Sequence, residues 1–81
     1  MKDYNKLSNL AISDSGFVFN PSNGDSFTLN LIASFILNKL KENKTKEEVL
    51  ESIIEKFEVE KSDAELDFDN FINQLMMYKL V

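Results

Sequence analysis

The chain contains no cysteine, no histidine and no arginine, and its nine basic residues are all lysine. Without cysteine there is no disulfide to staple the fold, and without cysteine or histidine there is no soft-metal site, so stability has to come from apolar packing. The same absences remove the Ser-His and Cys-His nucleophile pairs and every histidine-zinc arrangement. Glycine occurs only at Gly16 and Gly24, both in turn-forming stretches, so no glycine-rich phosphate cradle can be assembled. No apolar run approaches the roughly 20 residues that span a bilayer, and the N-terminal MKDYNKLSNLAISDSG lacks the apolar core and small cleavage residues of a signal peptide. The expectation is a cytoplasmic protein that holds no metal or cofactor and is not an enzyme. Paired carboxylates remain as the one catalytic or cation-binding option. Asp63 and Asp67 are four residues apart on a predicted helix, but an acidic first turn is also what the helix dipole favours, and that structural explanation is preferred.

Eighty-one residues that are 43% hydrophobic and include seven phenylalanines suit one compact domain, because so short a chain buries only about 60% of its unfolded surface and cannot support two cores. The formal net charge of −5 is unevenly spread. Residues 62–81 carry Asp63, Glu65, Asp67 and Asp69 against Lys79 alone, so the C-terminal segment is the acidic end. Nucleic acid and anionic membrane are therefore poor partners. The lysines at 39, 41, 44 and 46 form the sole candidate basic face, but Glu42, Glu47 and Glu48 interrupt it and favour a solvated junction between helices.

Residues 1–6, MKDYNK, are polar and aperiodic and read as a loose, flexible tail, leaving residues 7–81 as the domain. Leu7 to Ile12 reads as a first strand, turning at Ser13-Asp14-Ser15-Gly16. Phe17-Val18-Phe19 and Ser26-Phe27-Thr28-Leu29 then alternate with the period of two that marks half-buried strands, around an Asn20-Pro21-Ser22-Asn23-Gly24-Asp25 turn. This predicts a three-stranded antiparallel meander.

Asn30 stands where a helix N-cap is needed, and Leu31, Ile32, Phe35, Ile36 and Leu40 recur behind it on one face of a helix ending near residues 41–43. Thr45 and Glu48 have the spacing of a capping box, with Val49, Leu50, Ile53, Ile54 and Phe57 as the apolar stripe of a second helix. Ser62 and Glu65 repeat that spacing and predict the start of a third helix, whose core face is Ala64, Phe68, Phe71, Ile72 and Leu75. Strands first and helices after define an α+β class. The same elements describe a winged helix-turn-helix, but the helix that would enter the DNA groove opens with Asp63, Glu65, Asp67 and Asp69, where lysine and arginine are required.

What remains is a protein-binding surface. A three-stranded meander has an open edge, and the segment Ser26, Phe27, Thr28 and Leu29 need not be covered by the rest of so short a chain. An extended peptide can add there as a fourth strand. Leu66, Asn70, Asn73 and Met77 form a second, mixed stripe on the third helix that the core does not need, and this stripe is the candidate for the other wall of a peptide groove. Isolated surface apolar residues are ordinary, so the stripe also fits an edge of the core with its asparagines in water. The open strand edge equally suits pairing of two copies as a homodimer.

The ordered series Gly16-Phe17-Val18-Phe19-Asn20-Pro21, Thr28-Leu29-Asn30, Thr45-Lys46-Glu47-Glu48-Val49, Phe57-Glu58-Val59, Asp67-Phe68-Asp69-Asn70-Phe71-Ile72-Asn73-Gln74-Leu75 and Leu80-Val81 resembles the PqqD family of small peptide-binding proteins over about residues 9–81. Lys79 stands where that family usually has glycine, and Phe68 where it usually has valine. The resemblance implies a winged-helix-like recognition element that binds rather than catalyses. Its partners would be the leader segment of a ribosomally made precursor peptide, captured beside the third strand and last helix, and a modification enzyme such as a radical SAM protein, to which any iron–sulfur chemistry would belong. A winged-helix transcriptional regulator or a general protein–protein adaptor is the alternative.

Overall fold

Leu7 and Leu10 are both buried, and a spacing of three between core residues matches one turn of a 3-10 helix rather than a strand. In the computed structural model, which describes residues 5–80, a 3-10 helix accordingly runs over Asn5–Asn9, and the Leu10 amide donates to the Leu7 carbonyl at 3.1 Å. The predicted strand from Leu7 is thereby corrected to the short β1, Ala11–Ile12. Most of the predicted tail, residues 1–4, lies outside the described residues.

β1 pairs antiparallel with β2 (Phe17–Phe19), and β2 with β3 (Ser26–Thr28), in the order β1-β2-β3. The expected meander is present. Its inner row is Ile12, Val18 and Phe27 in register, with Val18 fully buried. Phe17 and Phe19 face outward instead, 48% and 40% exposed, because the two-residue period that buries Val18 turns both neighbours to the other face. Gly16 makes the entry to β2 specific. Its φ is +87°, and a Cβ there would stand 2.5 Å from the Leu29 carbonyl oxygen, so only glycine lets the β2 and β3 backbones meet. The β2–β3 turn is closed by the Asn20 side chain, which accepts from the Ser22 amide at 3.0 Å, and by the Gly24 amide donating to the Asn20 carbonyl at 2.8 Å.

Helix α1 (Leu31–Lys41) starts on the Asn30 cap, whose side-chain oxygen accepts from the Ala33 amide at 2.8 Å. Its buried face is Ala33, Ile36, Leu37 and Leu40; Leu31, expected in that stripe, is 71% exposed because at about 100° per residue it lies on the side of the helix opposite Ala33 and Leu40. Helix α2 (Lys46–Phe57) has the full capping box, with Thr45 and Glu48 each accepting from the other's backbone amide. Glu58, at φ +54°, ends it in the left-handed region. Helix α3 (Lys61–Met77) restarts from Glu60, which makes no side-chain cap bond. The capping box expected at Ser62 is therefore corrected: Val59 and Glu60 suffice as the connection, and Ser62 already lies within the first turn. The predicted α3 core face is buried in full, at Ala64, Phe68, Phe71, Ile72 and Leu75. These residues pack with Val18, Leu29 and the buried faces of α1 and α2 into the core. Lys41 adds a polar tie, its ammonium donating to the Leu10 carbonyl at 2.6 Å.

Candidate functional site

The order β1-β2-β3 leaves β3 at the sheet margin. The Asn20 amide donates to the Asp25 carbonyl and the Leu29 amide to the Gly16 carbonyl, both at 2.8 Å, so Asp25 and Leu29 turn their polar groups toward β2. Phe27, halfway between, does the same, because in an antiparallel ladder alternate residues point to the same neighbour. Ser26 and Thr28 therefore direct their amides and carbonyls away from the sheet. No strand among the described residues pairs with that side.

Helix α3 reaches this edge at its C-terminal end. Tyr78, capping its C-terminal end, stacks on Phe27 with ring centroids 4.7 Å apart and planes 6° apart. Further along, a cavity of about 170 Å³ is lined by Asn30, Ile32 and Ala33 from the start of α1 and by Asp67, Asn70, Phe71 and Gln74 from α3. Passing from Phe27 to Asn30 along the chain thus means passing from Tyr78 back toward Asp67, so the segment leading from β3 into α1 runs opposite in sense to α3, and the depression lies between the start of α1 and α3. Its polar groups are a carboxylate and neutral amides, and no lysine lines it. The Asn30 oxygen is already committed to the helix cap.

Of the residues expected at the site, Ser26, Phe27, Thr28 and Leu29 lie on or next to the open strand, with Leu29 buried and Phe27 half-buried under Tyr78. Asn70 lines the cavity. Leu66, Asn73 and Met77 share the exposed stripe of α3 with Asn70, and Leu66 and Met77 are 59% and 83% exposed. At about 100° per residue, that stripe lies nearly opposite Leu75, whereas Asp67 and Gln74 are turned toward the start of α1 and Tyr78 toward Phe27 of β3. Asp67, Gln74 and Tyr78, not named among the expected site residues, stand on this side of α3. Their signal was available: Asp67-Phe71-Gln74-Tyr78 is a repeat of four, three and four residues, running from a buried phenylalanine into polar positions.

The second apolar-aromatic focus lies between α1 and α2. The Phe35 ring meets the edge of Phe57 at 5.4 Å and 88°, and the ammonium groups of Lys39 and Lys56 stand 5.3 and 5.4 Å from its centroid. No residue is common to this cleft and the depression between the start of α1 and α3.

Together these features define a small α+β module with an open sheet margin facing a helix. The chain belongs to the PqqD family: the model of coenzyme PQQ synthesis protein D matches residues 16–81. A solved structure, a lasso peptide synthetase B1 complexed with its leader peptide, is similar with a TM-score of 0.72 and 26% identity, over 85% of this chain and 82% of that one. No curated protein matches the chain.

Proposed function

We propose that this chain recognises the leader segment of a ribosomally synthesised precursor peptide, capturing it as a strand added to β3 and presenting it to a modification enzyme. The observation that carries the reading is the outward-facing amide and carbonyl pair of Ser26 and of Thr28 beside the α3 wall. Main-chain pairing to these groups supplies affinity that does not depend on peptide sequence, and the depression between Asn30, Asp67, Asn70 and Gln74 supplies selectivity. Leu66, Asn73 and Met77 then form the outer rim, where the flexible Met77 adapts to whatever the peptide presents. Family membership and the likeness to a protein solved with a leader peptide support the same reading.

The role is binding, exercised in the cytoplasm, with the chemistry belonging to the partner. The chain contributes no cysteine to an iron–sulfur centre, which suits a separate radical SAM enzyme. The structural likeness favours a second partner type, the remaining components of a lasso peptide synthetase. The test is the Thr28→Pro variant, titrated with synthetic leader segments of short precursor genes that neighbour this chain's gene. Proline removes the outward amide and leaves the β2 ladder intact, since Thr28 does not donate to β2. Binding is expected to fall about tenfold, in line with one lost hydrogen bond plus local distortion. Unchanged affinity in a variant whose circular dichroism matches the parent would reject strand addition.

A further inference from the structure

Between the β2–β3 turn and the residues that follow α3 lies a cavity of about 290 Å³, lined by Asn9, Asn20, Ser22, Asn23, Lys79 and Leu80. None of these residues borders the depression between the start of α1 and α3. The acceptors around the cavity are already taken. Asn20 Oδ1 accepts from the Ser22 amide at 3.0 Å, Asn23 Oδ1 from the Asp25 amide at 2.9 Å, and the Asn20 carbonyl from the Gly24 amide. The Gln74, Leu75 and Met76 carbonyls at the end of α3 are likewise occupied, by the amides of Tyr78, Leu80 and Lys79. Because a backbone amide can only donate, the bonds to Asn20 and Asn23 fix both side chains with their NH2 groups as the free ends.

The donors are not taken. Asn20 is only 9% exposed, yet its side-chain NH2 has no partner among the described residues, and a buried donor without an acceptor costs stability. The Lys79 ammonium has no ion pair among the described residues, and no carboxylate lines the cavity. Lys79 holds its place at φ +59°, a conformation that favours glycine, and backbone strain of this kind gathers at binding sites. We propose that this cavity binds a small monocarboxylate. The carboxylate oxygens accept from the NH2 groups of Asn20 and Asn23 and from the Lys79 ammonium, and a short alkyl group lies against Leu80. One ammonium balances one negative charge, which suits a carboxylate rather than a doubly charged phosphate. The surplus of donors over free acceptors excludes a cation.

The test is an NMR titration of the full chain with sodium butyrate, with sodium chloride and inorganic phosphate as comparisons at equal ionic strength. Saturable shifts are expected at the side-chain NH2 groups of Asn20 and Asn23 and at the Lys79 amide, with chloride producing none. Two substitutions remove a donor while sparing the fold. Asn20→Asp keeps an oxygen for the Ser22 amide, and Lys79→Gly keeps the left-handed turn. Each should weaken butyrate binding by about tenfold, as the loss of one hydrogen bond to a charged group predicts. Thermal melts no lower than the parent's confirm that the comparison is between folded proteins. Absence of saturable shifts, unchanged affinity in either variant, or an equal response to chloride would each overturn the proposal, and tighter binding of phosphate than of butyrate would overturn the assignment to a carboxylate.

Discussion

The ring of Tyr78 lies parallel to that of Phe27 at 4.7 Å, so the last residue held by α3 is fastened to the middle of the edge strand. This stack fixes how far α3 stands from the open margin. It joins residues 51 positions apart in sequence, and neither belongs to the fully buried core.

Tyr78→Ala is expected to lower unfolding stability by about 1 kcal/mol, the scale of an aromatic pair with part of its area exposed. The larger effect falls on peptide affinity, because the wall loses its anchor to the strand. Urea unfolding monitored by circular dichroism, alongside a leader-peptide titration, separates the two. Tyr78→Phe keeps the ring and should leave both nearly unchanged.

The end of α3 carries a non-glycine residue in the left-handed region. Lys79 has φ +59°, its amide donates to the Met76 carbonyl at 3.0 Å, and the Leu80 amide donates to the Leu75 carbonyl at 2.9 Å, with both leucines buried against each other's turn. This is a Schellman motif, and it accounts for glycine as the residue usually found here in the resembled family. Lys79→Gly should stabilise the fold by about 1 kcal/mol, readable as a rise in melting temperature. No rise would mean that the lysine side chain, which lines a cavity with Asn9, Asn20, Ser22 and Asn23, compensates the backbone strain.

Glu48 titrates below the ordinary value of 4.5, first because the Thr45 backbone amide donates to its carboxylate and second because of the Thr45 side chain, with Lys44 adding a smaller attraction. A depressed folded-state value means that the associated stability is present above 4.5 and is lost as pH falls through the lowered value. Glu48→Gln removes this titration while keeping an acceptor for the Thr45 amide. The stability difference between parent and variant is expected to shrink below pH 4.5 and to be constant above it, checked by urea unfolding across an acid series.

The Ser34 hydroxyl is buried and has no hydrogen-bond partner among the described residues, close to the site where a Gly16 Cβ would project. An unsatisfied buried hydroxyl carries its desolvation cost with no return, so Ser34→Ala should be neutral or stabilising by up to about 1 kcal/mol. Gly16→Ala in the same neighbourhood should destabilise by more than that, because its Cβ meets the Leu29 carbonyl.

The core face of α3 was legible from residue order alone because Ala64, Phe68, Phe71, Ile72 and Leu75 follow the helical period without interruption. The Thr45 capping box was equally legible, since both partners of the motif lie within four residues. The first strand was misread because Leu7 and Leu10 satisfy a loose apolar run as well as a turn of 3-10 helix, and only burial separates the two. Leu31 was misplaced because its apolar side chain was joined to Phe35 as one face, whereas the buried row is Ala33, Ile36, Leu37 and Leu40, from which Leu31 is turned away.

The sequence by itself determined the class, the order from β2 to α3 and the inward-facing residues of α2 and α3, because alternation in strands and the three-to-four spacing in helices are local properties of the chain. It left the edge of β3 open as an expectation, and the order β1-β2-β3 of the structure puts that strand at the margin. Which flank of α3 borders that open margin was decided only by tertiary structure. A helical period separates buried from exposed positions but treats the two flanks of the buried stripe alike, and the flank carrying Asp67 and Gln74 was selected by the Tyr78 stack on Phe27 and by the approach of α3 to the start of α1.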